Sequence, residues 1–157
     1  MSALSSSQFN IQIGDELTQN VLPLLYEIKH GLDSLIETGK TSIIDLRSIP
    51  LAPGEEDKIM HTLGRGEVHA QLNALGLSEV VETQYTGVWI ITHYNDENQI
   101  ISRFIEVTTM PEILCSQTED IMAAYSRLAM TLEDEQQTHE SSVEKSWFSP
   151  WTGYAMG

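Results

Sequence analysis

The sequence is short of positive charge. Eight Lys and Arg stand against twenty-three Asp and Glu, a formal net charge of −15 over 157 residues. Such a surface repels phosphates and anionic headgroups across about a Debye length, which excludes nucleic acid and membrane as primary partners. Cysteine is nearly absent. Cys115 alone cannot close an internal disulfide, and with no CxxC pair there is no thiolate set for zinc or an iron–sulfur cluster. No apolar run approaches the roughly 18 residues of a membrane span. The start, Met1-Ser2-Ala3-Leu4-Ser5, lacks the basic and apolar regions of a secretory leader. The expectation is a cytoplasmic protein, neither exported nor membrane-embedded. None of the five histidines falls in HExxH or a His/Cys cluster, and no serine occupies a GxSxG elbow. No metal, no cofactor and no catalytic centre is expected.

What is present is periodic. Residues 1–14, rich in Ser and Gln, form a flexible N-terminal arm in which only Phe9, Ile11 and Ile13 alternate. From Asn20, the residues Val21, Leu24, Leu25, Ile28, Leu32, Leu35 and Ile36 recur at three and four positions and predict a core-facing helix, with Pro23 near its start and Gly39 past its end. Ile43, Ile44 and Leu46 predict a short strand before Pro50 and Pro53. Pro53 to Glu56 opens a second helix whose buried side is Ile59, Met60 and Leu63, closed by Gly64.

Between Gly66 and Thr109 the period becomes two. Turn residues at Gly76, Thr86-Gly87 and Asn95 to Asn98 divide the segment into an antiparallel meander whose centre is Val88-Trp89-Ile90-Ile91. A third helix carries Ile121, Met122, Tyr125, Leu128, Ala129 and Leu132 at helical spacing. The fold class is α+β: an antiparallel meander of about four to five strands packed against roughly two to three helices. Residues 15–132 form the single domain, and residues 133–157 an acidic spacer and aromatic tail.

Three local patterns bear on chemistry. Glu67 and His69, two apart on an expected strand, would share one face as an acid/base pair requires, but with no nucleophile or orienting group the plainer reading is a solvated strand face. Gly64-Arg65-Gly66-Glu67 follows a helix and precedes a strand, the reverse of a phosphate-binding turn, so the glycines are expected to end a helix and enter a sheet. In the tail, Trp147, Phe148 and Trp151 are large anchors of the kind that fill a partner's pocket; folding back on this domain or binding a second copy in a homodimer is an equal alternative.

Three ordered stretches then carry a resemblance: Ile59-Met60-His61-Thr62-Leu63-Gly64-Arg65-Gly66-Glu67-Val68, Glu82-Thr83-Gln84-Tyr85-Thr86-Gly87-Val88-Trp89, and Ile105-Glu106-Val107-Thr108-Thr109-Met110-Pro111-Glu112. With Ile44 to Leu51 upstream and Glu119-Asp120-Ile121 downstream, residues 20 to 130 resemble the HupH/HyaF family of hydrogenase expression/formation proteins. The resemblance implies a chaperone-like accessory role in the maturation of a nickel-iron uptake hydrogenase, acting on the immature iron–sulfur small subunit or pairing with another accessory protein. It singles out Gly64, Gly66, Glu67, Glu82, Gly87, Trp89 and Pro111. The glycines and Pro111 are expected to set turns and Trp89 to fill the core, while Glu67 and Glu82 are the candidate acceptors for a partner. Partner binding is therefore assigned to Gly64, Gly66, Glu67, Glu82, Gly87, Trp89, Trp147, Phe148 and Trp151. The alternatives are a small-ligand binding domain, recognisable by an apolar pocket between helix and sheet, and a small acid/base enzyme using Glu67 and His69.

Overall fold

The computed structural model describes residues 20–147. The described residues form two units, one ending at Glu112 and the other beginning at Ile113. In the first unit, helix α1 (Val21–Thr38) turns Val21, Leu24 and Ile28 into the core and ends at Gly39, where φ is +70° and the N–H donates to the Leu35 carbonyl at 2.9 Å. Gly31 is buried as well. A Cβ there would lie 2.7 Å from Ser42 Oγ and 3.3 Å from Val107 Cγ2, so its bare Cα lets the helix settle onto the sheet. Ile36, expected in the core, is instead 80% exposed, because the stripe rotates away from the sheet over the last turn.

Strand β1 (Ser42–Asp45) and a short 3-10 turn (Leu46–Ser48) lead to helix α2 (Glu55–Leu63). Glu55, Glu56 and Asp57 occupy its first turn, where the helix dipole favours acids. Glu55 is also buried: its Oε2 accepts from the Ala52 N–H at 2.6 Å and from Asn20 Nδ2 at 3.2 Å. Asn20 Nδ2 reaches the Pro50 carbonyl too, at 3.1 Å, so this carboxylate ties the start of α2 to the start of α1.

Four further strands follow: β2 (His69–Asn73), β3 (Leu77–Glu82), β4 (Val88–Tyr94) and β5 (Ile100–Val107). The sheet is antiparallel throughout, in the order β1-β5-β4-β3-β2, which makes β4 the central strand as its apolar run predicts. Its residues Val88, Trp89, Ile90 and Ile91 are all buried. One face carries Ile44, Ile105, Val107, Val88 and Ile90, which pack with α1 and α2 residues in a single hydrophobic cluster. Burial of a large aliphatic side chain contributes about 2 kcal/mol, so this layer supplies the main driving force.

The end of α2 is stitched to the end of β3. The Gly66 N–H donates to the Glu82 carbonyl at 2.7 Å, the Glu82 N–H to Val68 at 2.9 Å, and the Gln84 N–H to Leu63 at 3.0 Å. Gln84 Nε2 adds a bond to the Thr62 carbonyl at 2.7 Å. Beyond it the β3–β4 turn closes with the Val88 N–H on Tyr85 at 2.9 Å and Gly87 at φ +90°.

In the second unit, helix α3 (Thr118–Trp147) continues through residues 133–147, which composition alone marks as a spacer. Acids compatible with helix, such as Glu133, Glu135, Glu140 and Glu144, carry it on. Phe148 and Trp151 of the expected aromatic tail, and the alternation of Phe9, Ile11 and Ile13, lie outside the described residues.

Gly66→Ala would set a Cβ 2.5 Å from the Thr83 carbonyl oxygen, backbone against backbone. Urea unfolding is expected to show a loss of about 2 kcal/mol or more. Gly39→Ala, where φ is +70° and no atom lies within 4 Å, is expected to cost about 1 kcal/mol. Equal losses would show that the stitch is not a tight contact.

Candidate functional site

Helix α2 separates two concavities in the first unit. On one side, Leu25, Ile28, Lys29 and Leu32 of α1, Thr62 and Leu63 of α2, and Tyr85 of the β3–β4 turn enclose an open groove of about 290 Å³ whose walls are largely apolar. Leu22 and Tyr26, both half exposed, extend its apolar surface along α1. The groove exists because α1 carries apolar residues beyond its buried stripe: Leu22, Leu25 and Tyr26 flank Val21, Leu24 and Ile28. Tyr85 is held over it by the buried Thr83, whose Oγ1 lies 3.1 Å from both the N and the O of Tyr85. Lys29 stands at the rim, paired with Asp33 at 3.6 Å.

On the other side, a polar cleft of about 280 Å³ is lined by Asp57, Met60, Gly64 and Arg65 from α2 and its exit, and by Glu79, Val81, Ile90, Thr92, Tyr94 and Arg103 from the sheet. Arg103 is committed: Nη1 binds Glu56 at 2.6 Å and Nε binds Thr92 Oγ1 at 3.1 Å. Glu79 accepts from Tyr94 Oη at 3.1 Å and from Gln71 Nε2 at 3.3 Å, with His69 Nε2 at 4.0 Å. Burial, reinforced by the Glu79 carboxylate, pushes Tyr94 above its usual value. Arg103, Thr92, Glu79 and Tyr94 of the cleft are thus engaged with partners within the protein.

Glu67 and His69 do not form the pair their spacing suggests. Glu67 lies in a bend before β2, which begins at His69, so the two are not alternate residues of one strand. Both are exposed, and His69 faces Glu79 across the β2–β3 pair. Among the described residues no group of three or more His, Cys, Asp or Glu is placed to hold a metal ion, and no helix is long and apolar enough to cross a membrane.

The remaining sequence candidates divide cleanly. Gly64 ends α2 at φ +62°, donating to Met60, and Gly66 makes the stitch. Gly87 lets the β3–β4 turn pass close to Leu32 and Leu35 of α1. Trp89 is buried, and its Nε1 donates to the Thr108 carbonyl at 3.1 Å. Glu82 sits opposite Trp89 in the strand register, and the Glu67 side chain is exposed. Trp147 is the last residue of α3, and Phe148 and Trp151 lie outside the described residues. The three resembling stretches thus converge on one end of the sheet, where Thr62, Leu63 and Tyr85 of two of them wall the groove.

A family model described as HupH hydrogenase expression protein, C-terminal conserved region, matches residues 18–134. The chain belongs to this family. A solved HupH hydrogenase expression protein from Thiobacillus denitrificans superposes with a TM-score of 0.71 at 42% identity, covering 74% of this chain and 98% of that one. Among curated proteins, hydrogenase expression/formation protein HoxQ of Cupriavidus necator is 23% identical over 82% of this chain and 46% of its own length. HupH of Rhizobium leguminosarum bv. viciae is 28% identical over 69% of this chain and 39% of its own. The chain therefore spans less than half the length of the curated relatives it matches.

One family stretch contains a buried acid that sequence reading passed over. Glu106 pairs with Trp89 across β4–β5 and is 8% exposed. Burial pushes its carboxyl above the usual range; the Glu112 N–H bonded to it opposes this, and the Glu112 charge adds to it. A raised folded value means the folded state holds its proton longer than the unfolded chain does, so this group's contribution falls as pH rises from the usual carboxylate range through the raised value. Glu106→Gln keeps an acceptor for Glu112. It is expected to be more stable than the parent at pH 7, with the difference shrinking as pH drops through that range. A difference independent of pH in urea melts would contradict the assignment.

Proposed function

We propose that this chain is a non-catalytic, chaperone-like accessory protein of nickel-iron uptake hydrogenase maturation, acting in the cytoplasm by holding an apolar segment of the immature iron–sulfur small subunit, or of another accessory protein, in the α1–α2 groove. The observation that carries it is the coincidence of family and geometry: residues 62, 63 and 85, which line the groove, fall within the stretches that resemble the hydrogenase expression proteins. Apolar grooves of this kind accept amphipathic helices or extended segments, with a few side chains as anchors. At about 290 Å³ the space lies near the floor for enclosed small-molecule sites, and it is open along α1, which suits a chain better than a drug-sized ligand. The net charge of −15 favours a basic partner and a faster encounter at low salt. Glu67 and Glu82 remain proposed acceptors near the same end of the sheet, and Trp147, Phe148 and Trp151 proposed anchors of the chain's C-terminal end.

Purified small-subunit precursor, its large-subunit counterpart and the mature small subunit, each titrated against this chain, provide the test. Selective binding of the precursor is expected, weakened about tenfold by Leu25→Asp together with Tyr85→Asp, with the far-ultraviolet spectrum unchanged. Equal binding of all three subunits, or full affinity in the double variant, would refute the groove as the holding site. A small molecule recovered from the groove would favour a ligand-binding domain.

A further inference from the structure

We infer that the apolar stripe of α3 is a separate docking surface for a net-basic amphipathic helix of a partner protein. Ile121, Met122, Tyr125, Leu128 and Leu132 are between 55% and 76% exposed, although their spacing is that of a helix built to bury one side. At 3.6 residues per turn they fall, with Ala129, within an arc of about 120°. Isolated exposed apolar residues are ordinary, but a continuous stripe of them marks an interaction surface.

The charges around this stripe decide between its occupants. From the helical geometry, Glu133 and Glu135 fall on opposite borders of the stripe beside Leu132. Arg127 and Lys145 fall on the far face, while His139 lies on the stripe's line beyond Leu132. A second copy of α3 would set acid borders against acid borders in either direction, and like charges at such borders select against pairing. Helices that lie on membranes carry Lys and Arg beside the apolar face, the reverse of this arrangement. A partner helix with Leu-like anchors bordered by Lys or Arg satisfies both the stripe and its acids.

The full chain titrated with a fluorescein-labelled amphipathic Leu/Lys peptide, followed by anisotropy, tests the surface against the same peptide in scrambled order. Tighter binding of the amphipathic order is expected, weakened about tenfold by Leu128→Asp and made less salt-dependent by Glu133→Gln with Glu135→Gln. Leu75→Asp, at a fully exposed position in the β2–β3 turn, should leave binding unchanged. Equal binding of both peptides, or indifference to Leu128→Asp, overturns the proposal. So does a dimer in sedimentation equilibrium that Leu128→Asp dissociates, which gives the stripe to a second copy. Protection of amides 121–132 from exchange in the lone protein, lost with a drop in melting temperature on Leu128→Asp, also overturns it and assigns the stripe to an intramolecular contact. The α1–α2 groove is untouched by these variants, so failure here and failure of the groove reading are separate results.

Discussion

The close approach of Gly66 to the end of β3 governs the geometry of the first unit. The backbone there comes so near the Thr83 carbonyl that no side chain fits, and the 2.7 Å bond from the Gly66 N–H to Glu82 follows from that proximity. Its consequence is positional. Once the exit of α2 is fixed to β3, bonds from Gln84 to Leu63 and Thr62 set the height of the helix over the sheet. The β3–β4 turn then projects Tyr85 toward α1. Groove and polar cleft, one on each side of α2, owe their walls to that arrangement, so a shift at one glycine would reshape both.

Buried polar groups refine what the apolar layer begins. Hydrophobic burial is non-directional and would accept several placements of two helices on one sheet face. Glu55 removes that freedom at the helix starts, because a buried carboxylate must keep its hydrogen-bond donors, supplied here by Asn20 and Ala52. Arg103 does the same in the middle of the sheet by linking β5 to β4 through Thr92 and to α2 through Glu56. Trp89 and Thr108 tie the central strand to the end of β5. The unit is thus oriented by a few directional contacts set around one apolar cluster.

Most of this architecture was legible in the sequence because it rests on periodicity and turn chemistry. The stripe Val21, Leu24, Ile28, the unbroken run at Val88 to Ile91, and the glycines at 39, 64 and 87 each have a local physical meaning that the structure bears out. Gly31 was not legible, since a glycine within a helix announces its role only when the strand side chains it admits are known. Glu67 and His69 are both exposed, as the plainer reading of a solvated face expects, but Glu67 lies in a bend outside β2, because element boundaries are where sequence patterns are weakest. The position of the groove was not legible for a related reason. Leu25 reads as core from its spacing, yet it is only partly buried because no neighbouring element fills the space beside it. Periodicity identifies apolar faces, whereas concavity depends on what stands opposite them.

The resembling stretches bear on function less directly than a motif of catalytic residues would. Gly64, Gly66, Gly87 and Trp89 act on backbone conformation and packing, and each explains its own identity without a partner. Such positions define a scaffold, and the scaffold in turn holds open the surface beside it. A holding protein needs this division, since its partner is recognised through short-range apolar contact while the frame must not collapse onto the same apolar residues. Leu25 of α1 and Tyr85 of the β3–β4 turn stand in the wall of one open groove, and on the proposed reading long-range attraction toward an acidic chain would bring a basic partner to them. Recognition on this view is carried by the residues that the scaffold leaves unfilled.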